Sequence, residues 1–280
     1  MKTSGASRIA HRASLGLARS EVVVGVVCVL LAVAIALPVL NRNRRNALSL
    51  KDRSNLVEIH QSWVIYAGDF KGRFPVPGLI NRLAADLDGD GVAETEVNGL
   101  GPENAALNTT ANLYSATVAM NYLSPPVLVS PLERNPAVTE YGNYDYTAYD
   151  PTKDSYWDPT FLADLETGSN VSYAHRPIVG MHRVRHWPGT DPAVALLGNR
   201  GPADGNPRAD LSSCQPDGSW TGRFVFADGH VETIAATAGL RVDLKNGDNP
   251  FNYDPGLQGI DQVVAFTKQA SEVEAVLQHD

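Results

Sequence analysis

The longest uninterrupted apolar stretch of this 280-residue chain lies close to its first residue. Nineteen consecutive residues, Val22 to Leu40, contain no charged side chain. At about 1.5 Å of rise per residue, a helix of this length is roughly 28 Å long, which is close to the thickness of the hydrocarbon core of a bilayer. The sequence therefore predicts a membrane-spanning helix over residues 22–40.

The helical pattern continues after this stretch, but only one face remains apolar. Between residues 41 and 67, the apolar side chains recur at steps of three and four residues, and polar side chains fall between them. Gly68 and the following segment GDFKGRFP end the pattern. We therefore expect one N-terminal helix over residues 17–67, whose second half packs on a globular head formed by residues 68–280.

The head contains patterns of both helix and strand. A helix is predicted over residues 102–123, and strands are predicted over residues 168–178 and 193–200. The segment RFVFADGHVETI places Asp228-Gly229 between two β-branched and aromatic runs, which is typical of a tight β-hairpin. The predicted fold class is α+β, with a long N-terminal helix and an antiparallel β-sheet in the head.

Charge is distributed unevenly along the chain, whose formal net charge is −8. Residues 41–53 carry five basic side chains and the single acid Asp52, whereas residues 54–280 carry 14 basic and 29 acidic residues. An acidic head repels nucleic acid, so no nucleic-acid partner is expected. The basic segment is suited to anionic lipid headgroups. Because four basic residues precede the apolar stretch and five follow it, the charges alone do not fix its orientation.

Sequence features around the apolar stretch resemble those of one protein family. The leader, residues 1–16, has basic residues and no acid, and it ends in Gly16. Glu21 is the fifth residue after that glycine, and Pro38 follows Glu21 by seventeen residues. In this register the chain resembles the type IV pilins and the pseudopilins of type II secretion, whose precursors are cut after the glycine.

The resemblance implies a fold, a processing step and a location. The fold would be pilin-like, with the long helix half in the membrane and half packed on the head. A prepilin peptidase would cut after Gly16 and methylate the amino group of Leu17, and Glu21 would pair with the amino terminus of a neighbouring subunit. Pro38 would bend the helix. The chain would be a structural subunit rather than an enzyme, single-pass in the inner membrane with its N-terminus cytoplasmic and its head periplasmic or extracellular. Its partners would be the peptidase and other pilin or pseudopilin subunits.

The chain departs from the family pattern at two places near the cut, since Leu17 stands where pilins usually have phenylalanine and Arg19 stands among positions that are usually apolar. The head resembles a bacterial prepilin-type subfamily that carries a histidine separated by nine residues from an Asp-Gly pair. Here that histidine position is Gly218, so no role of the histidine is transferred.

An acidic loop in the head predicts a calcium site. Asp86, Asp88 and Asp90 alternate and are followed by glycine, as in the first half of an EF-hand loop, and Glu94 lies nearby. The position that would need a bidentate glutamate is Val97. A solvated acidic turn explains the same pattern, so both interpretations stay open.

Two other kinds of function remain open on the sequence. One is a membrane-anchored extracytoplasmic binding module that never polymerises and that uses calcium. The other is an anchored metal-dependent hydrolase, for which His182 and His186 have the spacing of one helical face and His175 and His230 lie in predicted strands or turns. The sequence contains no GxSxG elbow, Walker loop or HExxH motif. Catalysis therefore has no positive signal.

Overall fold

The computed structural model describes residues 19–80, 89–91, 103–150, 153, 155–180, 182–183, 187, 191–252 and 262–280. Contacts between Cα atoms divide the chain into two compact units, Met1–Ala47 and Leu48–Asp280. Helix α1, Arg19–Asp69, is a single 51-residue element that begins in the first unit and ends in the second.

Within the first unit, the structure describes the apolar part of α1 and the basic residues that follow it. Every side chain from Val22 to Ala47 is exposed, which is the opposite of what a core helix of a soluble domain shows. Pro38 lies inside the helix, where its ring removes the hydrogen bond that an amide would make to the carbonyl four residues earlier. The long N-terminal helix predicted from the sequence is confirmed.

In the second unit, the rest of α1 is part of the hydrophobic core. Leu56, Ile59 and Trp63 are fully buried, and the neighbouring Tyr66 is nearly so. Their spacing of three and four residues places them on one face of the helix, as the periodicity predicts. Trp63 lies against Tyr114, with a distance of 6.2 Å between ring centroids.

Helix α2 is shorter than the sequence predicts. It covers Thr110–Ala119, and a separate 3-10 turn, Ala105–Leu107, precedes it. The prediction of one helix over residues 102–123 is therefore wrong in its bounds. Thr109 is the N-cap, because its hydroxyl accepts from the Asn112 amide, and at the other end Asn121 adopts a left-handed conformation with φ 61°.

The head contains an antiparallel sheet of four strands in the order β3-β4-β5-β6. Strands β4 and β5 are central, and β5 pairs with β6 over six residue pairs. Two further antiparallel pairs, β1 with β2 and β7 with β8, form small separate sheets. In the described part of the chain, the strands are β1 Ala163–Asp164, β2 Gly168–Ser169, β3 Tyr173–His175, β4 Ala195–Asn199, β5 Trp220–Phe226, β6 Val231–Ala236, β7 Phe266–Ala270 and β8 Ala275–Gln278.

The hairpin between β5 and β6 confirms the Asp-Gly prediction. The Phe226 amide donates to the carbonyl of His230 at 3.0 Å, and Gly229 has φ +86°. A side chain is strained at that φ, and a Cβ on Gly229 would also lie 3.2 Å from the ring of His60 on α1. Glycine is thus required both by the turn and by the close approach of the helix. The observed layout is α+β, with an apolar N-terminal helix and an antiparallel sheet head.

Candidate functional site

The apolar part of α1 is the first candidate for a functional surface. The most apolar window of the described helix has a mean hydropathy of 3.1, and none of it is buried. One helix of the described chain is therefore long and apolar enough to cross a membrane, a test that a signal sequence near an N-terminus also passes. Exposed aliphatic side chains such as Leu30 and Ile35, which are 62% and 69% exposed, need a lipid or protein environment.

Of the residues of the predicted processing and assembly site, Glu21 and Pro38 lie in this helix. Glu21 is the third residue of α1, and Pro38 lies two residues before the end of the apolar stretch. Gly25 has open space around it, since a Cβ placed there would meet nothing within 4 Å. Gly16 and Leu17 lie outside the residues that the structure describes.

A buried carboxylate joins α1 to the sheet in the second unit. Asp52 has no exposed surface, and its side chain accepts hydrogen bonds from four others. Ser130 donates to Oδ1 at 2.5 Å, Tyr173 donates to Oδ1 at 3.0 Å, and Arg223 donates to Oδ2 at 3.1 Å. Asn199 lies 3.3 Å from both oxygens. The helix is thus held by donors from a loop and from strands β3, β4 and β5. We call Asp52 and its four donors, Ser130, Tyr173, Asn199 and Arg223, the Asp52 cluster.

Electrostatics within the Asp52 cluster keep the phenol of Tyr173 protonated. Burial, reinforced by the negative charge of Asp52, holds the pKa of Tyr173 far above its usual value. The phenol therefore stays protonated and donates to the carboxylate. Arg223 supplies the opposite charge with a side chain that is 10% exposed, and it also donates to the hydroxyl of Ser49. This is a paired and largely hydrogen-bonded buried charge, the only form in which burial is tolerated.

A small polar cavity adjoins the Asp52 cluster. Its volume is about 60 Å³. It is lined mainly by polar side chains, among them Ser130, Arg134, Ser172, Arg200 and Gln215. Ligand pockets usually have volumes of about 300–1,000 Å³, so this cavity has the dimensions of a hydration site rather than of an organic substrate site.

The described histidines occupy unrelated places. His175 is fully buried, His182 lies in a short helical turn, and His230 lies at the β5–β6 hairpin with its Nδ1 2.5 Å from an oxygen of Asp228. Within the part of the chain that the structure describes, no three His, Cys, Asp or Glu side chains are placed to hold one metal ion. His186 lies outside that part, so the predicted pair with His182 is not described.

The predicted calcium loop falls largely outside the described residues. Asp90 is described, in a bend between two glycines of positive φ, Gly89 and Gly91. Asp86, Asp88 and Glu94 are not. The calcium prediction therefore stays a prediction.

Sequence reasoning missed the Asp52 cluster, although one signal was present. Asp52 is the only acid in the basic segment, and it lies four residues before Leu56 and seven before Ile59, on the face that becomes buried. A lone acid on an apolar face indicates a buried partner of opposite charge. The sequence alone does not identify Arg223 as that partner.

Comparisons of the chain with protein families, with curated proteins and with solved structures found no match. The functional conclusion consequently rests on the residues and on their arrangement.

Proposed function

We propose that this chain is a structural subunit of a filament of the type IV pilin and pseudopilin class, built in the bacterial inner membrane. The observation that carries the proposal is helix α1, because a single 51-residue helix has an apolar, fully exposed N-terminal part and a C-terminal part that belongs to the core of a head. A subunit of this kind uses the exposed part as a membrane anchor before assembly and as a packing surface in the filament.

Glu21 gives the proposal a mechanism for assembly. A carboxylate at the edge of the hydrocarbon core is costly when it is unpaired, and a neighbouring amino terminus relieves that cost. Cleavage after Gly16 would create such an amino terminus at Leu17, four residues before the glutamate. Pairing between copies then selects one axial offset between neighbouring helices, and small residues such as Gly25 allow those helices to approach closely.

The orientation follows from the same processing step. The leader would lie in the cytoplasm, where the prepilin peptidase acts, and the head would lie in the periplasm or outside the cell. An acidic head of more than 200 residues is suited to contacts with other subunits or secreted proteins, and a specialised or minor subunit is favoured over a major one.

Changing Gly16 to leucine tests the processing step. A bulky side chain at the cut cannot enter a peptidase site shaped for glycine, so we expect the variant to keep its 16-residue leader. Mass spectrometry of the N-terminus recovered from membranes measures this directly. Gly5→Leu, within the leader and away from the cut, is the matched control and should be processed normally. Recovery of the unaltered chain with Met1 still attached would point instead to an uncleaved anchor that carries a binding module.

Changing Glu21 to alanine tests assembly separately from cleavage. We expect the variant to be cut but to lose most of its lengthwise association, because the amino terminus no longer has a partner carboxylate. Crosslinking in intact membranes followed by electrophoresis gives the size distribution of the oligomers. Glu58→Ala removes an exposed acid further along α1 and should leave that distribution unchanged. Undiminished oligomers in the Glu21 variant would contradict the pairing mechanism.

A further inference from the structure

We propose that three arginines directly after the apolar stretch, Arg42, Arg44 and Arg45, form a collar that binds the headgroups of anionic phospholipids. The inference rests on the membrane span of the proposed function, and it adds a lipid partner that processing and assembly do not require.

The collar consists of cations that no neighbouring acid neutralises. All three arginines are exposed, and among the described residues no carboxylate lies within ion-pair distance of any of them. Two buried arginines of the head behave differently, since Arg200 pairs with Glu133 and Asp280, and Arg223 pairs with Asp52. The collar therefore keeps its full positive charge for an external anion.

Position along the helix places this charge at the depth of the headgroups. Arg42 and Arg45 follow Leu40 by two and by five residues, which corresponds to about 3 and 7.5 Å of helix. The headgroup layer on each side of a bilayer is roughly 5–8 Å thick. With residues 22–40 in the hydrocarbon core, the three guanidinium groups lie at the level of the lipid phosphates.

The angles of the three arginines around the helix axis favour a lipid partner over a protein partner. At 3.6 residues per turn, Arg42 and Arg45 lie about 60° apart, whereas Arg44 is about 160° from Arg42 on the opposite side. A partner protein that docks on one face would meet only part of this charge. Lipids surround a membrane helix on all sides, and the planar guanidinium group binds phosphate oxygens in a bidentate manner.

Electron paramagnetic resonance of spin-labelled lipids tests the inference on the full chain. The protein is reconstituted in phosphatidylcholine bilayers that contain trace spin-labelled phosphatidylglycerol or spin-labelled phosphatidylcholine, and the motionally restricted fraction gives the relative association of the two lipids. We expect about a fivefold preference for phosphatidylglycerol, the size expected for one basic residue at a lipid surface. The preference should fall towards one at 1 M salt, where the screening length is about 3 Å.

Two double variants, each of which removes two positive charges, show which basic residues cause the preference for phosphatidylglycerol. Each lipid beside the helix meets one arginine, and Arg44→Gln/Arg45→Gln leaves only the site beside Arg42, so the averaged preference should fall to about twofold. Lys51→Gln/Arg53→Gln should leave it near fivefold. Lys51 and Arg53 are also exposed, but they follow Leu40 by eleven and thirteen residues, which is more helix than a headgroup layer holds. Circular dichroism checks that both variants keep their helix content.

The outcomes distinguish this inference from the proposed function. Restricted lipid with no preference for phosphatidylglycerol would overturn the collar and leave the membrane span standing; it is also the result expected if the collar binds the acidic head of a second copy. Equal losses in the two double variants would show a response to net charge and would overturn the collar as well. The absence of any restricted lipid would overturn both the span and the collar.

Discussion

Replacing Arg223 with leucine is expected to lower the free energy of unfolding of the head by about 3–5 kcal/mol. Among the described residues, the substitution removes the positively charged partner of Asp52 and leaves that buried carboxylate with neutral donors. A loss of this size is a large fraction of the total stability of a domain. Denaturant unfolding of the full chain in micelles, followed by the fluorescence of buried Trp63 and Trp220, measures it.

A matched control and a double variant distinguish the loss of the Asp52–Arg223 pair from the general effect of replacing an arginine by leucine. Arg241→Leu removes an exposed arginine that is paired with Asp243, and it should change the free energy of unfolding by less than about 1 kcal/mol. The double variant Asp52→Leu/Arg223→Leu should recover part of the stability lost by Arg223→Leu, because it leaves no unpaired buried charge. A loss of under about 1 kcal/mol in the single variant would show that the pair does not hold α1 to the sheet.

The head is also expected to lose stability steeply between pH 6.5 and pH 4.5. Burial lowers the pKa of His175 to about 4, and it lowers the pKa of His279 to about 4 as well. The hydrogen bonds of His175 suit the neutral ring, in which Nδ1 donates to the carbonyl of Arg176 at 2.7 Å and Nε2 accepts from the hydroxyl of Thr110 at 2.9 Å. That hydroxyl in turn accepts from the Thr267 amide at 2.7 Å.

The direction in which stability changes with pH follows from the lowered pKa values of the two histidines. The unfolded chain binds a proton at each histidine near pH 6.5, whereas the folded chain resists protonation until about pH 4, so the unfolded state gains protons first as the pH falls. Stability is fully present above pH 6.5 and declines below it, by up to about 3 kcal/mol for His175 at pH 4. The contribution of His279 is smaller because its side chain keeps some exposure.

Unfolding by denaturant at pH 7.0 and pH 4.5 measures this loss, and comparison with His175→Gln separates the part due to this histidine from the titration of carboxylates in the same range. His175→Gln should be less stable at pH 7 but should show a shallower decline towards pH 4.5. His230→Gln, at the partly exposed hairpin, should keep the slope of the unaltered chain. If stability is the same at both pH values, the neutral buried imidazole is not a determinant of the fold.

The fold could be predicted where its signals are local. The apolar run of α1 and the Asp-Gly turn of the β5–β6 hairpin act through neighbouring residues, and both are found where the sequence places them. The bounds of α2 were missed because the Thr109 cap and the left-handed Asn121 outweigh an otherwise helical composition. A cap is a single-residue signal, and several residues between 102 and 123 could serve as one.

The Asp52 cluster could not be predicted because its members are distant along the chain. Ser130 lies 78 residues from Asp52, Tyr173 lies 121, and Arg223 lies 171. Periodicity identifies which face of a helix is buried, but it does not specify which strand will lie against that face. Only the register of β3, β4 and β5 brings the donors together.

The Asp52 cluster also determines how a force on α1 would reach the head. Because Asp52 lies on α1 and its donors lie on a loop and on strands β3, β4 and β5, a force that separates α1 from the sheet must break the hydrogen bonds from Ser130, Tyr173, Asn199 and Arg223. Asp52, the single acid of the basic segment, is thus a point at which a force on α1 is transmitted to the folded head.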